Sequence, residues 1–221
     1  MIEFEEFPKV PRLFRDVIIT EKIDGTNAAV VIEEHLGLGK WATGERVGEQ
    51  LYGGPHQTWR GITVVDADGN HFMVGAQSRK RLVTPDVDNF GFAKWVFDNA
   101  ADLVHILGPG RHFGEWWGSG IQRKYGLTGD DKRFSLFNVN RYAEQMYAQA
   151  ILPELDVVPV LYDGPFEEEI IRDTVDVLRE RGSAVAPGFM KPEGIVVYHT
   201  AAGHPFKVTL ENDETPKGLV S

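Results

Sequence analysis

The chain has 221 residues, with 23 lysines and arginines against 33 aspartates and glutamates, and a formal net charge of −10. Its 42% hydrophobic and 25% charged content is that of an ordinary folded protein, long enough to bury a core without crosslinks. The absence of cysteine excludes disulfides, thiolate nucleophiles and thiolate metal sites, and neither a signal-peptide apolar region nor a run of about 20 apolar residues is present, so a cytoplasmic location is expected.

Residues 1–16, with Pro8 and Pro11, read as an irregular lead-in, and Val17–Ile19 as a short strand. Ala28–Ile32 is a valine-rich run and reads as a strand leaving the Asp24-Gly25 turn. Residues 37–54 are glycine-rich and predict loop and turn. Ile62–Val65 and His71–Val74 flank Asp68-Gly69 and predict a hairpin. From Asp88 to Leu107 the apolar residues return every three or four places, which predicts one helix capped by Asp88 and ended by Gly108-Pro109. His112–Trp117 and Phe134–Val139 read as strands, followed by a short helix from an Asn140 cap to Leu152. Val157–Leu161 returns to strand, and Pro165–Arg181 predicts a second long helix stopped by Gly182. Ile195–Tyr198 and Phe206–Leu210 are the last strands, before a polar tail over 211–221. Strands and helices do not alternate regularly, which favours α+β with antiparallel sheets over a doubly wound parallel sheet.

The acidic balance argues against a general nucleic-acid coat. Two basic stretches run against it: Arg79-Lys80-Arg81, and Arg123, Lys124, Lys132 and Arg133. An acidic body with a basic cleft suits an enzyme acting on a polyanion. The chemistry-bearing segment is Glu21-Lys22-Ile23-Asp24-Gly25-Thr26-Asn27. A lysine amine freed of its proton is a nucleophile for phosphorus. Asp24 can orient that amine or hold a metal near it, Gly25 lets the backbone turn tightly, and Thr26 and Asn27 add polar contacts.

This segment resembles the nucleotidyltransferase motif of ATP-dependent RNA ligases, in the superfamily that also holds DNA ligases and mRNA capping enzymes. By resemblance, Lys22 attacks the α-phosphate of ATP and becomes lysyl-AMP. Further elements follow in the family's order. Ala76-Gln77-Ser78-Arg79-Lys80-Arg81 resembles the arginine motif, with Arg79 the first candidate for phosphate contact and Arg81 the second. Thr43-Gly44-Glu45-Arg46 competes for that role. Phe113-Gly114-Glu115-Trp116-Trp117-Gly118 resembles the element whose glutamate, here Glu115, approaches the ribose. If that strand is regular, Trp116 and Trp117 face opposite ways, one in the core and the other lining the cleft. Phe134–Val139 resembles the strand whose aromatic, here Phe137, stacks on adenine. Lys191-Pro192-Glu193-Gly194-Ile195-Val196-Val197 resembles the metal element, which gives Glu193 to Mg²⁺ or Mn²⁺. His204–Leu210 stands where the family has a two-lysine strand. Lys207 is the first of the pair with Thr209 replacing the second, or the second with Pro205 in place of the first.

The resemblance implies an α+β nucleotidyltransferase core (ATP-grasp-like) of antiparallel sheets flanked by helices, with a central nucleotide cleft. It implies one adenylyltransferase domain over 1–221, with no separate C-terminal OB-type domain. ATP and Mg²⁺ or Mn²⁺ are the implied cofactors, and RNA ends or a nicked duplex the implied substrate. Lys22, Asp24, Arg79 and Lys207 are the implied catalytic residues. Glu21, Gly25, Thr26, Asn27, Arg46, Arg81, Glu115, Phe137 and Glu193 complete the nucleotide site. A DNA ligase shares the nucleophile and metal elements, and a non-catalytic nucleotide- or RNA-binding module would explain the incomplete lysine strand.

Overall fold

The computed structural model describes residues 3–35, 47–52, 59–142 and 151–211. In chain order the elements begin with β1 (Asp16–Lys22), β2 (Thr26–His35), β3 (Val47–Tyr52), β4 (Trp59–Val65), β5 (His71–Ser78) and β6 (Leu82–Val83). Helices α1 (Phe92–Asp98) and α2 (Ala100–Leu107) follow, then β7 (Gly110–Gly118), β8 (Lys132–Leu136) and α3 (Val139–Tyr142). The chain continues through β9 (Leu155–Val157), β10 (Val160–Pro165), α4 (Glu168–Arg181), β11 (Gly194–His199) and β12 (His204–Thr209). Among the described residues no helix is long and apolar enough to cross a membrane.

The chain divides into two compact units. The first is discontinuous, Met1–Ile23 with Pro159–Ser221, and holds an antiparallel sheet ordered β10-β1-β11-β12. Strand alternation puts Val17 and Ile19 of β1 on the face that also carries Ile195 and Val197 of β11, and α4 seals that face with Leu178. Acidic residues open α4 and Arg179 and Arg181 close it, each complementing the helix dipole, and Gly182 takes the left-handed φ of 79° that ends it.

The second unit is continuous, Asp24–Val158, with an eight-stranded sheet ordered β3-β4-β5-β2-β7-β8-β9 and β6 paired to β5. Helices α1 and α2 cover one face, over Ala28, Val30 and Ile32 of β2 and Val74 and Ala76 of β5. Phe92 sits at the centre, fully buried, with ring centroids 5.1 Å from Phe134 and 5.5 Å from Trp116. Burial of such a ring, about 3 kcal/mol, outweighs the ring–ring geometry, about 1 kcal/mol.

The α+β class with largely antiparallel sheets agrees with the sequence, as do the stop at Gly108 and the hairpin expected from Ile62–Val65 and His71–Val74, whose strands extend to Trp59 and Ser78. Several boundaries differ for physical reasons. β8 and β9 pair in parallel, so the sheet is mixed. Residues 47–52 form β3 inside the segment predicted as loop and turn. The helix predicted over 88–107 is two helices, α1 and α2, which meet at Asn99, where φ of −111° and ψ of 19° leave the helical region. Asp88 does cap α1, from a turn upstream: its carboxylate accepts from Ala93 N at 2.7 Å and Lys94 N at 3.0 Å. α3 starts at Val139, ahead of Asn140, with Asn138 accepting from Arg141 N at 3.2 Å, and residues 143–150 of the helix expected to run to Leu152 lie outside the described residues. The strand predicted over 157–161 is two strands in different sheets, separated at Val158-Pro159 where proline supplies no donor. α4 begins at Glu168, since Pro165 still belongs to β10.

Candidate active site

In the first unit, Lys22 is the last residue of β1 and stands opposite Gly194, the first residue of β11. That register brings the preceding carboxylate to the amine: Lys22 Nζ lies 2.5 Å from Glu193 Oε2, with side-chain exposures of 24% and 15%. The pair joins positions 171 residues apart. Gly194 stands in turn opposite Thr209 on β12, and Lys207 stands opposite Val196, which stands opposite Thr20. By alternation, Lys22, Thr209 and Lys207 share one face of the sheet, away from α4. Thr209 occupies the row of Lys22 itself, and Lys207 lies exposed one step along the edge strand.

Glu21 faces the other way. Its carboxylate is 1% exposed and accepts from Ser183 Oγ at 2.6 Å, Ala184 N at 2.7 Å and Val185 N at 3.0 Å. Burial pushes its pKa above the ordinary glutamate value, and these three hydrogen bonds oppose that rise. The group predicted to contact nucleotide thus anchors the segment after α4 to the lysine strand, because a strand residue adjacent to Lys22 necessarily projects to the opposite face. Ser183 carried no signal in the sequence.

In the second unit, Asp24 N–H donates to the Tyr125 hydroxyl at 2.9 Å, and Arg123 Nε donates to Asp24 Oδ2 at 3.0 Å. Gly25 N–H donates to Glu115 Oε1 at 3.0 Å. A Cβ on Gly25 would lie 2.4 Å from the Trp116 carbonyl oxygen and 2.8 Å from Trp117 Cβ, so only glycine fits without displacing β7. Thr26 Oγ1 accepts from Asn89 Nδ2 at 3.0 Å. Asn27 pairs with Glu115 across β2 and β7, and Glu115 pairs with Ser135 across β7 and β8. Phe137 continues that ladder one residue past β8, its N–H on the Phe113 carbonyl at 3.0 Å. Asn27, Glu115 and Phe137 therefore share the sheet face opposite α1 and α2, with Phe137 40% exposed.

Neither tryptophan of the Glu115 element lines an open surface. Trp116 is 3% exposed within the helix-covered core, and Trp117 is 2% exposed on the opposite face, edge-on to Tyr125 at 5.3 Å. The larger sheet gathers Asp24–Thr26, the loop after β7 and the turn after β5 at one end, since Ser78 pairs with Ala28 two residues into β2. Arg79 and Arg81 lie exposed in that turn, whose closure is Ser78 N–H on the Arg81 carbonyl at 2.8 Å. Arg46 lies outside the described residues. Sequence reading missed Tyr125 and Asn89, and it noted Arg123 only as part of a basic stretch.

Among the described residues no group of three or more histidines, aspartates and glutamates forms a metal cluster. A divalent ion of the Mg²⁺ kind keeps several waters and takes one or two carboxylates, so the partly buried Glu193 carboxylate fits such an ion.

The RNA ligase family model matches residues 15–209. Among solved structures, a variant of Naegleria gruberi RNA ligase with AMP and Mn aligns with a TM-score of 0.51 at 16% identity, over 88% of this chain and 49% of that one. A variant of the same enzyme with ATP and Mn gives 0.52 at 15% identity, over 89% and 50%, and an apo variant gives 0.51 at 16% identity, over 88% and 49%. These likenesses show the fold, and the chain spans about half the length of the enzymes it matches. No curated protein matches it. Since the family model covers nearly the whole chain, the chain belongs to the RNA ligase family.

Proposed function

We propose that this chain is the adenylyltransferase domain of an ATP-dependent RNA ligase and that Lys22 accepts AMP. The observation that supports this most is the Lys22–Glu193 pair, which joins the nucleophile and metal elements of the motif series at 2.5 Å. The Lys22 amine, turned from Glu193 and deprotonated, attacks the α-phosphorus of ATP. The N–P bond forms as the bond from α-phosphorus to the bridging oxygen breaks, pyrophosphate leaves, and the amine proton passes to water. An oxygen of an RNA 5′-phosphate then displaces the lysine nitrogen and forms a 5′–5′ pyrophosphate linkage. Last, a 3′-hydroxyl attacks the RNA phosphorus and AMP departs.

In this reading Glu193 would hold Mg²⁺ or Mn²⁺, whose charge compensates that of the phosphates. Glu115 accepts from ribose hydroxyls, Phe137 offers its exposed ring to adenine, and Asn27 adds a polar contact on the same face. Lys207, Arg79 and Arg81 supply cations for phosphate oxygens. Thr209, standing in the row of Lys22, replaces the second lysine of the family strand with a neutral donor. RNA ends or a nicked duplex are the substrate class.

Incubation with α-labelled ATP and Mg²⁺ or Mn²⁺, followed by denaturing electrophoresis, tests this. The wild-type chain should keep the label and Lys22→Ala should not. An unlabelled wild-type chain rejects the reading. Nicked RNA and nicked DNA offered to the labelled protein then decide the polymer.

A further inference from the structure

The segment from Lys22 to Gly25 passes from the first compact unit into the second between Ile23 and Asp24. On the second-unit side, two successive amides are each taken by a side chain: Asp24 N–H by the Tyr125 hydroxyl and Gly25 N–H by Glu115. The Asp24 carboxylate is taken by Arg123 at 3.0 Å, with both side chains about 30% exposed. Arg123 and Tyr125 come from one loop, between β7 and β8, and its backbone is strained. Gln122, Lys124 and Tyr125 all adopt left-handed φ, at 41°, 61° and 48°. Non-glycine residues hold such angles only where their surroundings over-determine them, and such strain gathers at functional sites. Here the surroundings are visible: Tyr125 is 2% exposed and packs on Trp117, whose indole N–H is fixed on Ser135 Oγ at 2.9 Å.

Packing alone would require neither the hydroxyl contact nor the ion pair. Both converge on one residue, two positions after the lysine read as the AMP acceptor. Its carboxylate would repel an approaching triphosphate unless its charge were offset, and the Arg123 guanidinium offsets it. We propose that Arg123 and Tyr125 are positioning residues for nucleotidyl transfer. They fix Asp24 and the Gly25 amide, in the segment that follows the Lys22 strand, and Arg123 also masks the Asp24 charge. The proposal rests on the reading of Lys22 as the AMP acceptor.

The test is single-turnover labelling from α-labelled ATP, over a range of ATP concentrations, in the full chain. Tyr125→Phe keeps the ring and its packing and removes only the hydroxyl. Arg123→Met removes the charge, Arg123→Lys restores it, and Asp24→Asn removes its partner. Tyr125→Phe and Arg123→Met should each lower the maximal rate by about 10- to 100-fold, the scale of a small misplacement at a reacting centre. The half-saturating ATP concentration should move less than about threefold, since positioning acts on the step after binding. Arg123→Lys should recover most of the rate. In the Asp24→Asn background, Arg123→Met should cost less than about threefold, because residues that act as a unit are non-additive.

Wild-type rates in Tyr125→Phe and Arg123→Met would overturn the proposal. So would an effect confined to ATP half-saturation, or an undiminished loss when Asp24 is already asparagine. If Arg123→Met fails to fold, Tyr125→Phe decides. A wild-type chain that takes no label defeats the reading of Lys22 and this proposal together, whereas a labelled wild type with indifferent variants defeats this proposal alone.

Discussion

Lys22 and Gly194 stand opposite each other on neighbouring antiparallel strands, and this register delivers Glu193 to the lysine amine at 2.5 Å. Two short motifs far apart in the chain thus become a single polar pair through backbone pairing alone.

The first expectation concerns that pair. Glu193→Gln keeps the size of the side chain and removes its charge, so the adenylylation rate should fall by about 100-fold or more, the scale of losing a preorganised electrostatic partner. Labelling time courses at matched Mg²⁺ check this, and a rate within a few-fold of wild type would remove Glu193 from the chemistry.

Phe137 offers an exposed ring on the Glu115 face, so its loss should weaken nucleotide binding more than chemistry. Phe137→Ala should raise half-saturating ATP by about tenfold, the value of one base–aromatic stack, with little change in the maximal rate. Phe137→Trp should stay near wild type. Equal labelling curves for the alanine variant would sink the stacking role.

Gly194 has no room for a side chain. A Cβ there would lie 2.1 Å from the Val208 carbonyl oxygen and 2.8 Å from Thr209 Cα, both backbone atoms of the paired strand. Gly194→Ala should cost about 1–3 kcal/mol by overpacking, read from urea unfolding. It should also slow labelling, because the residue that faces Lys22 is displaced.

Glu21→Ala strands the Ser183 hydroxyl and the amides of Ala184 and Val185, all of which donate to that carboxylate. A loss of about 3 kcal/mol is expected from unpaired buried donors. Hydrogen exchange at the two amides should speed up locally, and unchanged exchange would show that another acceptor has replaced the carboxylate.

His112 makes stability depend on pH. The ring is fully buried, and burial lowers its pKa from 6.5 to about 4. Its Nε2 faces the Gly108 carbonyl, which only accepts, so Nε2 carries the hydrogen and Nδ1 accepts from the Tyr142 hydroxyl at 2.7 Å. The folded state therefore resists a proton that the unfolded chain takes up. Stability from this group is complete above pH 6.5 and declines as pH falls toward 4, by about 3 kcal/mol at most. Urea midpoints at pH 7.5 and 4.5 should move less for His112→Gln than for the wild type, and equal shifts would contradict the assignment.

Strand periodicity and turn chemistry made much of this fold legible. The apolar runs at Val17–Ile19, Ala28–Ile32 and Ile195–Tyr198 became β1, β2 and β11, and Asp68-Gly69 became the turn between β4 and β5. The lysine and glutamate elements were legible because each is a short polar signature beside an apolar strand. The break at Asn99 was hidden inside an unbroken helical period, since it lies in the backbone angles of one residue and not in the spacing of apolar side chains. Pro159 was a printed signal that an apolar run masked. Glu21 looked like a ligand group because it adjoins Lys22, yet alternation sends it to the interior. Tyr125 was illegible because its role depends on a strained loop meeting an amide 101 positions away.

The discontinuous first unit has a consequence for biosynthesis. Its opening strand is made before the whole of the second unit, and β11 and β12 are made after it. The continuous unit, Asp24–Val158, can gather its own contacts in the interval. The amine at position 22 acquires its carboxylate neighbour only once residue 193 has been made, so a nascent chain cut off before that residue would carry Lys22 without Glu193.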